Sequence, residues 1–283
     1  MSRGLGEPAF VLHQWDWSET SLVLDLWTRG QGRLAVVAKG AKRPYSQLRP
    51  VLLPFQPLSV QLTRPKRDDA TGDIQTLRQA EYAGGCPVLP TPRLMAGFYV
   101  NELLIKLLPR GEAQPGLFDA YAATLQALAT EDDEQAALRA FELLLLRTVG
   151  LLPELDRDGV TLQRLAPEAA VLLRADSGAL ALDLRGRPDA AAGSQVLSGA
   201  LCQALEGALA MRVAADAVVA LRLLCATALP ALRTQLRPLL DYHLGAPGLR
   251  TRELLRALHR LQATAVARGP MPQTPSASAP PPP

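Results

Sequence analysis

The spacing of apolar residues along this chain changes once, at a segment rich in glycine and proline. Of all the sequence features, this change restricts the possible folds most. Before the segment, apolar residues recur at every second position, as Leu22, Leu24 and Leu26 do, which is the period of a β-strand. After residue 93 they recur at the spacing of a helix. The segment 83–92 between them is rich in residues that end regular structure. We therefore predict an α+β protein with a domain boundary between residues 83 and 84.

The first part of the chain, residues 1–83, has the pattern of a small β-barrel. Five short strands are predicted, at 9–13, 20–28, 33–38, 51–62 and 74–82. Pro54 and Pro57 interrupt the fourth strand, which is therefore expected to be bent or to lie at an edge. Short strands joined by turns rich in glycine and proline are typical of an OB-fold, and the pattern alone also allows an SH3-like barrel.

The second part, residues 84–268, is predicted to be mainly α-helical. Helices are expected to begin near residues 93, 115, 134, 198, 214, 232 and 251. The first helix is expected to turn Leu94, Phe98, Ile105 and Leu108 inward. A small β-hairpin insertion, with strands at 171–173 and 179–184, interrupts the helices. Residues 269–283 contain seven prolines, which predicts a disordered, proline-rich tail.

Composition and motifs argue against several classes of protein. No run of 18 apolar residues is free of charge, and no apolar segment follows the N-terminus, so we expect neither a membrane span nor a signal peptide but a cytoplasmic protein. Cys86, Cys202 and Cys225 lack metal-binding spacing and are expected to be reduced, mostly buried thiols, with no metal site. The common nucleotide-binding, serine-hydrolase and zinc-protease motifs are missing. We therefore expect no enzyme and no cofactor.

Positive charge is concentrated in the barrel, although the net charge is only +3. Nine basic residues lie between Arg29 and Arg67, and no acid occurs between Leu26 and Arg67. Ordinary solvated surfaces mix both signs, whereas a stretch of one sign is typical of a protein that binds a polyanion. Tyr45 is a candidate for stacking on a base, and Trp27 is the alternative, although tryptophan on a strand more often belongs to the core. The candidate phosphate contacts are Arg33, Lys39, Lys42, Arg43, Arg49, Arg64, Lys66 and Arg67.

A second basic cluster lies near the C-terminus. Its candidate residues are Arg233, Arg237, Arg250, Arg252 and Arg256. Arg252 and Arg256 are four positions apart and therefore share one face of the predicted helix. Two interpretations stay open: a second path for nucleic acid, and an ordinary solvated helix face.

A set of short segments, in a fixed order, resembles one known family. They include Trp17-Ser18-Glu19-Thr20-Ser21-Leu22, Val37-Ala38-Lys39-Gly40-Ala41 and Leu53-Pro54-Phe55-Gln56-Pro57-Leu58. Further matches lie at 9–13, 76–81, 97–104, 138–143 and 249–254. On these segments the chain resembles the RecO family of bacterial recombination mediators. The resemblance is strong to about residue 150, weak after that, and returns at the final helix.

The resemblance implies an OB-fold barrel followed by a helical domain. It implies a protein of DNA repair that binds single- and double-stranded DNA and anneals complementary strands in the nucleoid. It also implies that the protein acts with RecR to help load the RecA recombinase onto DNA coated by single-strand-binding protein. The acidic tail of single-strand-binding protein is expected to dock on the helical domain near Arg139 and Phe141, although Phe141 is equally well explained as a core residue.

One departure from the family pattern concerns zinc. Many RecO-like proteins carry a four-cysteine zinc module after the third helix, whereas residues 151–197 of this chain contain no cysteine. Zinc binding is therefore not carried over, and the region is interpreted as a degenerate module. Three alternatives stay open: an RNA-binding OB-fold protein, an enzyme with an unrecognised site in the helical domain, and a scaffold without affinity for nucleic acid.

Overall fold

The computed structural model describes residues 6–63, 74–85, 87–182, 195–245, 248–255, 257 and 260. The predicted architecture is confirmed: a closed five-stranded barrel comes first, and a helical region with a small separate sheet follows. Some of the predicted features lie outside the described residues. These are Arg64, Lys66, Arg67, Cys86, Arg256 and the proline-rich segment 269–283.

The barrel consists of β1 (Glu7–Asp16), β2 (Leu22–Thr28), β3 (Gly32–Ala38), β4 (Leu58–Thr63) and β5 (Gln75–Tyr82). The strand order β1-β2-β3-β5-β4 closes on itself, with β3 and β5 parallel and the other pairs antiparallel. This arrangement is that of an OB-fold, and it leaves no open sheet edge. The strand predicted at 51–62 was too long, since residues before Leu58, including Pro54 and Pro57, do not form a strand.

The two faces of β2 pack against different partners. Leu24 and Leu26 point into the barrel, where they form a core with Val36 and Val60. On the opposite face Trp27 is completely buried against the helical region, so it belongs to the core and is not available for stacking on a base. The alternation predicted from the sequence is therefore present. At the end of β2 one face is buried in the barrel and the other against the helical region.

The helical region contains α1 (Leu94–Leu107), α2 (Pro115–Thr130), α3 (Glu134–Thr148), α4 (Gly199–Leu209), α5 (Ala214–Thr227) and α6 (Leu229–Leu244). A further helical segment begins at 250 and is described to 255. The hairpin strands β6 (Ala170–Arg174) and β7 (Gly178–Ala181) are joined by β8 (Leu197–Ser198), in the order β7-β6-β8. Among the described residues no single helix is long and apolar enough to cross a membrane; α5 and α6 reach that length only as a pair bent by 110°.

The inward face of α1 agrees with the prediction at Leu108, which is buried, and at Leu94 and Ile105, which pack partly buried against the core, but not at Phe98. Tyr99, Val100 and Leu103 are buried, whereas Phe98 is 40% exposed. Phe98 instead contacts the ring of Phe55 at the edge of the barrel, with 5.0 Å between ring centroids. The prediction was wrong for Phe98 alone, because its contact joins distant parts of the chain and helical periodicity contains no information on such contacts.

Candidate nucleic-acid interface

The connection between β3 and β4 forms a basic loop that folds back onto the turn between β1 and β2. The backbone N–H of Lys42 donates to the carbonyl of Thr20 at 3.0 Å. The ammonium group of Lys42 donates to the carbonyl of Ser18 at 3.2 Å and lies 3.1 Å from the carboxylate of Asp16. Lys42 therefore holds the loop against this turn, and the carboxylate of Asp16 neutralises part of its positive charge.

Three cations of the basic loop point into solvent. Lys39, Arg43 and Arg49 are exposed and form no ion pair with any described residue. Tyr45 stands between them with 97% of its surface exposed. Arg49 and Tyr45 line a shallow hollow of about 560 Å³ together with Pro44 and Pro50. The loop therefore presents positive charge and an aromatic ring on one surface. This combination suits a single-stranded nucleic acid, which offers phosphates and unpaired bases.

Arg33 does not belong to this surface, and its prediction as a phosphate contact is corrected. Only 8% of the residue is exposed. Its guanidinium lies 3.2 Å from the buried carboxylate of Asp25 and donates to the carbonyl oxygens of Leu104, Ile105 and Leu108 at the end of α1. A cation is favoured at the C-terminus of a helix because the carbonyl groups there carry partial negative charge. Arg33 therefore joins the barrel to the helical region.

Two exposed tryptophans adjoin the basic loop, and the sequence reasoning missed them. Trp15 lies at the end of β1 with 43% of its surface exposed, and Trp17 follows in the turn with 64% exposed. Because residues two positions apart on a strand share one face, the spacing of Trp15 and Trp17 could have indicated from the sequence that both side chains lie on the same face. It was overlooked because the strand had been predicted to end at His13.

The C-terminal arginines line a groove in the helical region rather than an extension of the barrel surface. Arg233 and Arg237 are exposed on α6 and border a groove of about 630 Å³, together with Arg139 and Gln135 of α3. A neighbouring hollow of about 320 Å³ shares these residues and adds Tyr99, Leu138 and Arg252. Positive charge beside apolar surface suits an apolar peptide that carries carboxylates.

Of the other described candidates, Arg252 is paired within the protein and Arg250 does not line the groove, while Arg237 lies 3.8 Å from a carboxylate oxygen of Asp241. The guanidinium of Arg252 lies 2.6 Å from a carboxylate oxygen of Asp241 and 5.6 Å from the ring centre of Tyr99. Arg250 is exposed, and its backbone N–H donates to Glu102 at 2.8 Å. Arg252 is therefore mainly a structural residue of the last helical segment.

The two residues predicted to contact a partner peptide have different positions. Arg139 borders the groove but is largely enclosed, and its guanidinium lies 2.7 Å from the buried carboxylate of Glu142. Phe141 is completely buried, with its ring 6.2 Å from that of Tyr121. The prediction of Phe141 as a peptide contact is therefore corrected: α3 turns this side chain into the core, away from the groove.

Hydrogen bonds to Asp158 hold together the region interpreted from the sequence as a degenerate module. The carboxylate of Asp158 accepts from the backbone N–H of Val160 and Thr161 and from that of Ala181 on β7, at 2.8–3.1 Å. The N–H donors of Thr161 and Ala181 lower the pKa of Asp158 to about 2. Within the described residues, no three His, Cys, Asp or Glu side chains are grouped so that they could hold a metal ion.

The two described cysteines are free and buried. Burial raises the pKa of the Cys202 and Cys225 thiols to about 12. A thiol that is neutral at physiological pH is a poor nucleophile, so neither residue is suited to covalent chemistry.

The fold and its surfaces define a class of protein, an OB-type barrel with a basic loop joined to a helical region. Family models give the particular member of this class. Recombination protein O N terminal matches residues 1–85, and Recombination protein O C terminal matches residues 91–253. The chain belongs to the RecO family of DNA repair proteins.

Curated relatives agree with this assignment. The DNA repair protein RecO of Variovorax paradoxus is 48% identical over 263 residues, which cover 90% of this chain and 96% of the relative. The DNA repair protein RecO of Polaromonas sp. strain JS666 is 47% identical, with 90% and 97% covered. That of Acidovorax ebreus is 46% identical, again with 90% and 97% covered.

Proposed function

We propose that the basic loop of the barrel binds single-stranded DNA and that the protein anneals complementary strands. The observation that carries this proposal is the exposed set of Lys39, Arg43 and Arg49 on a stretch without acids. Electrostatic capture of the phosphates leaves the bases free to pair with a second strand. Double-stranded DNA is held by the same cations, since every duplex presents phosphates.

The test is the salt dependence of binding to a labelled single-stranded DNA of about 35 nucleotides. The logarithm of the association constant falls with the logarithm of salt concentration by about 0.7 per phosphate contact. A variant with Lys39→Ala, Arg43→Ala and Arg49→Ala should therefore bind more weakly, with a slope shallower by about 2. In an annealing assay with complementary strands the same variant should be slower.

The matched control removes three positive charges elsewhere. Arg157, Arg164 and Arg212 are exposed in the helical region, away from the basic loop. Their replacement by alanine changes the net charge equally and should leave the slope as in the unaltered protein. Absence of binding at low salt, or an equal effect of the two triple variants, would refute the basic loop as the DNA site. A preference for RNA over DNA of equal length would favour the RNA-binding alternative.

The groove on the helical region supports a mediator role. We propose that it receives the acidic C-terminal tail of single-strand-binding protein, with Arg233 and Arg237 contacting carboxylates and the nearby proline and leucine side chains contacting apolar residues. Binding there brings the barrel to DNA that is already coated. The family resemblance supplies the further partners, RecR directly and RecA indirectly.

The groove is tested with a labelled peptide of that tail. Replacing Arg233 and Arg237 by alanine should weaken binding at least about tenfold, because each removes a charge-assisted contact. A peptide with an amidated C-terminus should bind more weakly to the unaltered protein, and Arg212→Ala should have no effect. Unchanged binding by the double variant would exclude this groove as the docking site.

A further inference from the structure

Two indole rings are exposed to solvent at the end of β1 and in the turn that follows it. The chain has three tryptophans, of which Trp27 is fully buried, whereas Trp15 and Trp17 are 43% and 64% exposed. A single exposed hydrophobic residue is ordinary, but two large aromatic side chains beside a basic surface call for an explanation. The ring of His13 meets that of Trp15 edge to face at 4.5 Å between centroids, which orients the Trp15 ring.

The strand register places both rings next to the basic loop. Trp15 is opposite Val23, which is opposite Val37, so these residues form one row across β1, β2 and β3. The N–H of Trp17 donates to the carbonyl of Ser21 at 3.1 Å, which places Trp17 in the next row.

Lys39 directly follows Ala38, the partner of Leu22, and begins the turn after β3, next to the row of Ser21 and Trp17. Rows on one face of a sheet are about 7 Å apart, and neighbouring strands about 5 Å. Trp15, Trp17 and Lys39 thus lie at the same end of β1, β2 and β3, and all three are exposed there.

Charge around the indoles favours an anionic strand. Asp16 lies between the two tryptophans in sequence, but its carboxylate is paired with Lys42. Glu19 is the one further acid of the turn 17–21, and the exposed cations Lys39 and Arg43 of the adjoining loop outnumber it. Aromatic rings beside a cationic track form the usual stacking platform for unpaired bases.

We propose that Trp15 and Trp17 stack on successive unpaired bases of the strand whose phosphates lie along Lys39 and Arg43. The proposal rests on the proposed DNA binding by the basic loop and adds the part that distinguishes a single strand from a duplex. A duplex buries the faces of its bases in its own stack, so it reaches the cations but not the platform. The indoles therefore give single-stranded DNA an additional, salt-independent contribution to affinity.

The experiment compares Trp15→Ala/Trp17→Ala with the unaltered full-length protein on a single strand of about 35 nucleotides and on the duplex of the same sequence. Affinity for the single strand should fall at least about tenfold, because two stacking contacts with bases are lost. Affinity for the duplex and both salt slopes should stay unchanged, because the phosphate contacts remain. Trp15→Phe/Trp17→Phe should recover much of the loss. Tyr242→Ala removes an exposed aromatic ring far along the helical region and should change neither affinity.

Tryptophan fluorescence gives a second measurement. Binding of the single strand should quench the indole emission of the unaltered protein, and Trp17→Ala alone should remove part of that quenching, since buried Trp27 remains as a constant background. Equal loss of single-strand and duplex affinity, or unchanged single-strand affinity in the alanine variants, would overturn the platform while leaving the basic loop standing. Failure of the unaltered protein to bind any DNA would instead overturn the proposed function.

Discussion

At the scale of single residues, Glu142 has the most demanding environment in the helical region. Its side chain is completely buried in α3. One carboxylate oxygen accepts from the hydroxyl of Tyr99 at 2.5 Å and lies 2.7 Å from the guanidinium of Arg139. Burial raises the pKa of Glu142, and the charge of Arg139 and the Tyr99 hydrogen bond only partly oppose this. The stability of α3 therefore depends on Arg139, which also borders the groove.

Replacing Arg139 by alanine should lower the free energy of unfolding by about 3–5 kcal/mol at neutral pH, because it leaves the Glu142 carboxylate buried without its partner. A carboxyl whose folded-state pKa is raised binds a proton more tightly in the fold than when unfolded. Its contribution is fully present below the unfolded value of 4.5 and is lost as the pH rises through the folded-state pKa. The loss caused by Arg139→Ala should therefore shrink towards acid pH. Urea unfolding at neutral and at acid pH measures this loss of unfolding free energy. An equal loss at the two pH values would contradict the prediction. Arg139→Ala/Glu142→Gln is the control and should recover part of the stability.

The exposure of individual site residues could not be predicted from the sequence. Lys39 and Arg33 belong to one acid-free stretch and have the same charge, yet one is exposed and the other is buried. The difference arises from Asp25 and from the end of α1, about 70 residues later, and local patterns contain no information on such contacts. Phe141 was open to both interpretations for the same reason.

At the scale of secondary structure elements, local patterns predicted most of the strands and helices. The alternation in β2 and the helical spacing in α2 come from side chains that pack on one face, so the sequence records them directly. The strand β8 was missed because Leu197–Ser198 is too short to show a period and pairs with β6 more than 20 residues earlier. Prolines limited β4, where a composition rich in valine and leucine had favoured a longer strand.

The hydrogen bonds of Asp158 should make the module region independent of metal. Because the folded-state pKa of about 2 lies below the ordinary value of 3.8, Asp158 contributes stability above pH 3.8 and loses it as the pH falls through about 2. Asp158→Ala should cost about 1 kcal/mol, as the loss of a capping side chain does. It should also speed amide exchange at Val160, Thr161 and Ala181.

Asp158→Asn is the matched control for this element, because it keeps the shape but removes the charge, and it should give a smaller effect. A chelator such as EDTA should leave the melting temperature unchanged. A fall in melting temperature on chelation would show that a metal ion, and not Asp158, holds the region.

At the scale of the whole molecule, the barrel and the helical region share one core. Trp27 and Phe10 of the barrel lie 5.3 Å and 5.2 Å from the ring of Phe118 on α2, measured between ring centroids. Asn101 of α1 donates to the carbonyl of Leu12 on β1 at 3.0 Å and accepts from the hydroxyl of Tyr121. The proposed DNA surface lies on the barrel and the peptide groove on the helical region, and the aromatic side chains of these two parts pack against each other.

This shared core predicts a single unfolding transition. Phe118→Ala should lower the free energy of unfolding by about 3–5 kcal/mol, because it opens a cavity against Trp27. Tryptophan emission reports on the barrel, because Trp15 and Trp27 lie on its strands and Trp17 lies in the turn after β1. This emission and the far-ultraviolet circular dichroism of the helices should shift together to lower denaturant, as two-state unfolding requires. Phe98→Ala, at a ring that is 40% exposed, should cost much less. A barrel transition that stays in place while the helical transition moves would show two independent domains. In that case DNA binding by the barrel would survive unfolding of the groove, whereas one cooperative core means that the two activities are lost together.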